Sequence, residues 1–244
     1  MSAQFHRLPV ETYVITFTVV LWIILTLSAP NFFTADNIAN MMRAVSFSGI
    51  IAIGVLCTII IAGIDLSVGS VAAFCGVVVA QLLSHGYGIP LSIILTMSLG
   101  ILVGAVNAAG VAKLGIPAFV VTLAGLRVYR GVALLASGGM TVGGLPPEIK
   151  DFARGDVLGV PNLFITMIVV AIVIHYVLTY TRTGRYLYAI GSNAEAARRQ
   201  GIPVFRMTLI AYVISSALAT LAGVLLVSRL SVAAPSMADG YEWQ

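Results

Sequence analysis

Five long stretches of this chain carry no charge. Residues 12–35, 44–64, 66–112, 157–181 and 207–228 contain no Asp, Glu, Lys or Arg. A helix needs about 20 residues at 1.5 Å each to cross roughly 30 Å of hydrocarbon. Four of the stretches are one crossing long. The stretch 66–112 is interrupted by Ser84-His85-Gly86-Tyr87-Gly88-Ile89-Pro90, a turn composition, and so holds two. A further span over 116–137 carries Arg127 and Arg130. The expectation is an all-α, polytopic helical membrane protein with about seven spans. Composition closes off the soluble alternatives, because a chain that is 9% charged and 59% hydrophobic cannot cover a globule of this size with polar side chains. The net charge of +4 includes no basic run interleaved with aromatics, so no nucleic-acid partner is implied. Cys57 and Cys75 sit in apolar runs and read as small buried hydrophobes.

The Lys/Arg distribution sets the orientation. Segment 182–206 holds Arg182, Arg185, Arg198, Arg199 and Arg206 against Glu195 alone, whereas 138–161 holds Lys150 and Arg154 against Glu148, Asp151 and Asp156. The first is expected in the cytoplasm and the second outside. Arg7 places the N-terminus inside. Six spans then separate it from the basic loop, and an even number returns the chain to the same side.

That cytoplasmic loop contains punctuation for a short helix over 193–200. Ser192 is positioned to cap it, with Glu195 completing a capping box. Arg198 and Arg199 fall in the last turn, Gly201 suits a left-handed cap and Pro203 stops continuation. About two turns are marginal alone in water, so the helix needs a surface. Two surfaces stay open: anionic lipid, which the arginines suit, and a groove on another protein, which suits a face of only Ala194, Ala196 and Ala197.

Glu195-Ala196-Ala197 followed by Gly201 resembles the loop by which ABC importer permeases dock their ATPase. Ala62-Gly63-Ile64-Asp65-Leu66-Ser67-Val68-Gly69-Ser70 is similar to the signature of the ribose-type sugar permeases. Further matches run over Ile116-Pro117-Ala118-Phe119-Val120-Val121-Thr122-Leu123 and Gly184-Arg185-Tyr186-Leu187-Tyr188-Ala189-Ile190-Gly191. Ala108 departs from the family, which usually has Gly there. The resemblance implies one transmembrane domain over 1–244 in a bacterial cytoplasmic (inner) membrane, with 182–206 as its coupling loop. It implies a second permease subunit, identical or different, an external sugar-binding protein and a separate ATPase. It also implies further C-terminal spans, since 237–242 looks like the start of a segment that continues.

Polar residues inside the spans need their own account. A carboxylate at the bilayer centre costs about 2.5–3.5 kcal/mol, and Asp65 is the lone one between Arg43 and Ala112. Either Gly63 ends one helix and Asp65 or Ser67 caps the next, or a broken helix around Gly63, Asp65, Ser67 and Gly69 lines a pathway. Arg127 and Arg130 share a helix face and either pair or snorkel locally, or line an external vestibule. Asn107 either bonds between helices or faces the pathway. No phosphate-binding loop, metal-ligand cluster or nucleophile motif is present, so the chain needs no cofactor and is not itself expected to be an enzyme. Three functions follow: an importer permease subunit, an ion-coupled transporter or channel working through Asp65, or an inactive truncated permease fragment.

Overall fold

The computed structural model describes residues 10–29 and 31–241. Arg7, on which the expected N-terminal orientation leans, lies outside them, as does Glu242. The chain divides into two units, Met1–Met42 and Arg43–Gln244. In the first, α1 (Val10–Ser28) leads to a turn in which Trp22 meets Phe32 and Phe33 edge-on at 5.8 and 6.3 Å. Asn37 donates from Nδ2 to the Phe32 carbonyl at 2.7 Å, tying the turn to the start of α2 (Ala35–Ile60).

The second unit adds α3 (Val68–Ser84), α4 (Ile89–Ala112), α5 (Ala118–Ser137), α6 (Ile149–Arg154), α7 (Asn162–Tyr180), α8 (Arg182–Ser192), α9 (Ala194–Arg199) and α10 (Val204–Leu230). Small departures from an all-α fold are a hairpin of β1 (Asp156–Val157) and β2 (Val160–Pro161), and a bridge between Val142 and Ala233. Each of the seven expected segments contains a helix. Five of them, α2, α4, α5, α7 and α10, are long and apolar enough to cross a membrane, while α3 and Thr12–Ser28 of α1 are apolar but shorter. The shortness of α3 has a local cause, since residues 61–67 before it are not helical.

The burial pattern is that of a chain whose outer surface meets lipid. Helices α4, α5 and α7 turn Leu102, Val106, Leu135, Ile172 and Val173 outward. The interior is where the polar and small residues are: Ser70, Thr96, Asn107, Ser215, Ser216 and Thr220 are fully or almost fully buried. Helix α10 lies against both α3 and α4. Lipid tails are as apolar as leucine, so such contacts depend on close backbone approach rather than on hydrophobic burial. Gly104 provides it for α4, because a Cβ there would stand 2.6 Å from the Tyr212 carbonyl oxygen and 2.8 Å from the Val213 Cα. Gly223 does the same for α10 against the Ala72 carbonyl of α3.

Replacing Gly104 by Leu is therefore expected to force α4 from α10. The expected loss is about 1–3 kcal/mol or more, read as a lower midpoint of thermal unfolding in detergent, with L102A on the outer face of α4 nearly silent.

Candidate functional site

The site is built on the break between α2 and α3. Helix α2 closes through paired bonds, from the Gly63 N–H to the Thr58 carbonyl at 2.9 Å and from the Ala62 N–H to the Ile59 carbonyl at 2.8 Å. This closure puts its αL residue at Ala62, with φ +57°, not at Gly63. Gly63 is small for another reason: a Cβ there would sit 2.9 Å from the Tyr212 hydroxyl. Next, the Ile64 carbonyl, which no helix satisfies, accepts from Thr122 Oγ1 of α5 at 3.1 Å and from the Tyr212 hydroxyl of α10 at 3.4 Å. Backbone freed inside a membrane has to be answered by neighbouring helices, and here two of them answer it.

Asp65 is 2% exposed and fully engaged. Its Oδ1 accepts from the Ser67 N–H at 3.0 Å and from Ser67 Oγ at 2.6 Å, and its Oδ2 accepts from Ser215 Oγ of α10 at 2.7 Å. The chain of bonds continues outward. Asn107 Nδ2 of α4 donates to Ser67 Oγ at 2.9 Å, and the Tyr129 hydroxyl of α5 donates to Asn107 Oδ1 at 2.8 Å. Ser67 stands at the N-cap of α3 in helical rather than extended backbone and makes no side-chain capping bond; its hydroxyl donates to Asp65 and accepts from Asn107. Gly69 is buried in the first turn of α3. Thus Gly63, Asp65, Ser67, Gly69 and Asn107 come together, and Ser215, Tyr129, Thr122 and Tyr212 join them. The last four were missed in the sequence; their signal is hydroxyls inside apolar spans, whose partners lie up to 150 positions away.

Arg130 and Arg127 do not join this network. Arg130 donates from Nη1 to the Pro235 and Met237 carbonyls at 2.8 and 2.9 Å, and its Nη2 pairs with Asp239 at 3.4 Å, so it clamps the segment after α10. Arg127 is exposed on the outer side of α5.

The arginine-rich segment is two helices rather than a loop with one. Thr181 caps α8, accepting from the Gly184 N–H at 3.3 Å, and Gly184, Leu187 and Ile190 form its buried stripe. Ser192 ends α8 instead of capping α9. The cap of α9 is Asn193, whose side chain accepts from the Ala196 N–H at 2.9 Å. Glu195 consequently makes no capping box and pairs with Arg199 one turn on. At the other end Gly201 takes φ +81°, and the Ile202 N–H reaches the Ala197 carbonyl at 3.1 Å. Of the alanines, Ala197 is buried with Cys57 of α2, Ile174 and Leu178 of α7, Leu187 and Ile190 of α8, and Met207 and Ala211 of α10. Gly191 lies directly on the Ile60 carbonyl that ends α2. Outward, Asn193, Glu195, Ala196 and Arg199 line a shallow recess of about 180 Å³. Arg198 faces elsewhere, into a cavity of about 760 Å³ shared with Ala62, Gly63, Arg206, Thr208 and Tyr212.

Residues 37–244 match the family model described as branched-chain amino acid transport system / permease component. The chain is similar to the ribose import permease protein of Escherichia coli (strain K12), with 38% identity over 232 residues, 93% of this chain and 72% of the relative. It is 36% identical to the ribose import permease protein of Bacillus subtilis (strain 168) over 225 residues, 91% of this chain and 70% of the relative. It is 32% identical to the autoinducer 2 import system permease protein of Shigella flexneri over 231 residues, 92% and 67% of the two chains. No solved structure matches significantly.

The break makes two opposite stability predictions. A62G relieves a left-handed alanine and is expected to stabilise by about 0.5–1 kcal/mol. S215A strips a bond from a buried carboxylate and is expected to cost about 1.5–3 kcal/mol. Thermal unfolding of the two variants in one detergent reads both, and equal shifts of the same sign would refute the account.

Proposed function

The chain belongs to the permease-component family of branched-chain amino acid transport systems, and from that premise we propose that it is the membrane-spanning subunit of an ATP-driven importer for a sugar or sugar-like solute. The solute class rests on relatives whose names say ribose import and autoinducer 2 import. A permease component is not an enzyme, so hydrolysis falls to a separate ATPase. The remaining partners are a second permease subunit, identical or different, and an external binding protein. The membrane is the bacterial cytoplasmic membrane, with seven crossings and the arginine-rich end inside by the positive-inside bias.

The observation that carries this reading is the division of labour on α9. Its inner side, through Ala197, belongs to a buried cluster that α8 shares with the ends of α2, α7 and α10. Its outer side, Asn193, Glu195, Ala196 and Arg199, remains available to a partner. A helix seated this way against α8 and α10 passes its movement on to the spans, which is the property a lever for alternating access requires. Ser192 and Gly201 serve that lever where α8 and α9 stop, Gly191 serves it by seating α8 on the end of α2, and Arg198 borders the cavity beside the break. The docking contacts are accordingly assigned to Glu195, Ala196 and Arg199. The ion-coupled reading needs a carboxylate free to exchange a cation. Asp65 is committed instead to Ser67 and Ser215, where it holds the break closed.

Docking predicts different outcomes for neighbouring alanines. A196W is expected to insert and unfold like the parent while ribose uptake and ATPase co-purification fall about tenfold or more, the cost of blocking an interface centre. A197W is expected to lower thermal stability itself, because its site is filled from within the chain. Parental uptake by A196W would overturn the lever.

A further inference from the structure

Arg127 stands near the middle of α5, where an arginine facing lipid costs about 2.5–3.5 kcal/mol. It lies nine residues, about 14 Å, from Ala118 and ten residues, about 15 Å, from Ser137, so it is at mid-depth in α5. An extended arginine reaches about 7 Å from Cα to guanidinium by ordinary bond lengths, about half the distance to either end. Snorkelling, which serves arginines near helix ends, is therefore out of range. Within the described residues the side chain is exposed and has no acidic partner, whereas Arg130 one turn on is answered by two carbonyls and Asp239. The residues one turn away on its side of the helix are small, while Val120, Val128 and Leu134 are exposed and apolar further along and beside it. Ala124, one turn before, is exposed, and a Cβ on Gly131, one turn after, would meet nothing within 4 Å. The opposite side of α5 is packed: Gly125 lies against Ser67 and Asn107, and Tyr129 bonds to Asn107.

We propose that the Ala124–Arg127–Gly131 side of α5 lines a water-filled passage, in which the Arg127 guanidinium donates hydrogen bonds to a passing hydroxyl-rich solute. Water solvates the charge at a depth where hydrocarbon cannot. A planar group with five donors, flanked one turn away by Ala124 and Gly131, leaves room for a solute bearing several hydroxyl acceptors. On this placement one side of α5 holds the break between α2 and α3, and the other faces the route taken by the solute. The proposal rests on the reading of the chain as a permease, but not on α9 docking an ATPase.

The test is cysteine accessibility in membranes containing the full chain and whatever partners it assembles with. Cys57 and Cys75, both buried, are replaced by alanine, and A124C, R127C and L102C are introduced singly. Leu102 is exposed on α4 and serves as the lipid-facing reference. A membrane-impermeant, charged methanethiosulfonate is expected to modify R127C and A124C at least about tenfold faster than L102C, since thiolate forms in water and not in hydrocarbon. A124C is the mildest of the changes and keeps the test valid if R127C folds poorly. Modification of A124C no faster than of L102C overturns the proposal. Fast labelling of A124C together with parental co-purification by A196W would leave it standing while the docking assignment fell.

Discussion

A polypeptide that stops being helical inside a membrane must have its freed peptide groups satisfied by something other than water. Residues 61–67 meet that demand with the Asp65 carboxylate and with hydroxyls from other helices. The carboxylate takes three bonds, the Ile64 carbonyl takes two, and the donors come from α5 and α10 as well as from the break. Much of the second unit depends on this arrangement. Ser215 fixes the break to α10, Asn107 brings in α4, and Tyr129 and Thr122 bring in α5. Glycines then allow the same helices to approach until main chains touch. A charge that looked expensive in isolation is a structural centre once it is surrounded by donors.

The same economy links the break to the arginine-rich end. Helix α2 finishes at Ile60, and Gly191 of α8 rests on that carbonyl. Two residues later the chain turns through Ala62 and enters the break, beside a cavity that Arg198 and Arg206 also border. The segment proposed to meet an ATPase is therefore one contact removed from the break that Asp65 holds. No long relay of side chains is needed, because the two share the end of one helix.

Much of this was legible in order along the chain. Charge-free runs marked α1, α2, α3, α4, α7 and α10, the 84–90 turn separated α3 from α4, and Gly201 with Pro203 marked the end of α9. Errors occurred where two local signals competed. Ser192 and Asn193 are both good capping residues, and α8 decided between them, since its stripe of Gly184, Leu187 and Ile190 carries the helix through Ser192. Gly63 looked like the left-handed residue, but Ala62 takes that conformation, and Gly63 is instead small where the Tyr212 hydroxyl approaches it. Arg127 and Arg130 looked equivalent at helical spacing, and the return of 235–239 to Arg130 on α5 separates them.

The sequence by itself determined that this is a bundle of apolar helices with a polar break after the second and a short capped helix before the last. Hydropathy, charge and capping are properties of neighbouring residues and need no fold to be read. Only the tertiary structure decided what the polar residues do. Asp65 and Ser215 are a bonded pair separated by 150 positions, and Ala197 is buried while Ala196 is open. Such pairings depend on which helix faces pack together, and helices that are apolar on nearly every side leave that choice to packing rather than to pattern.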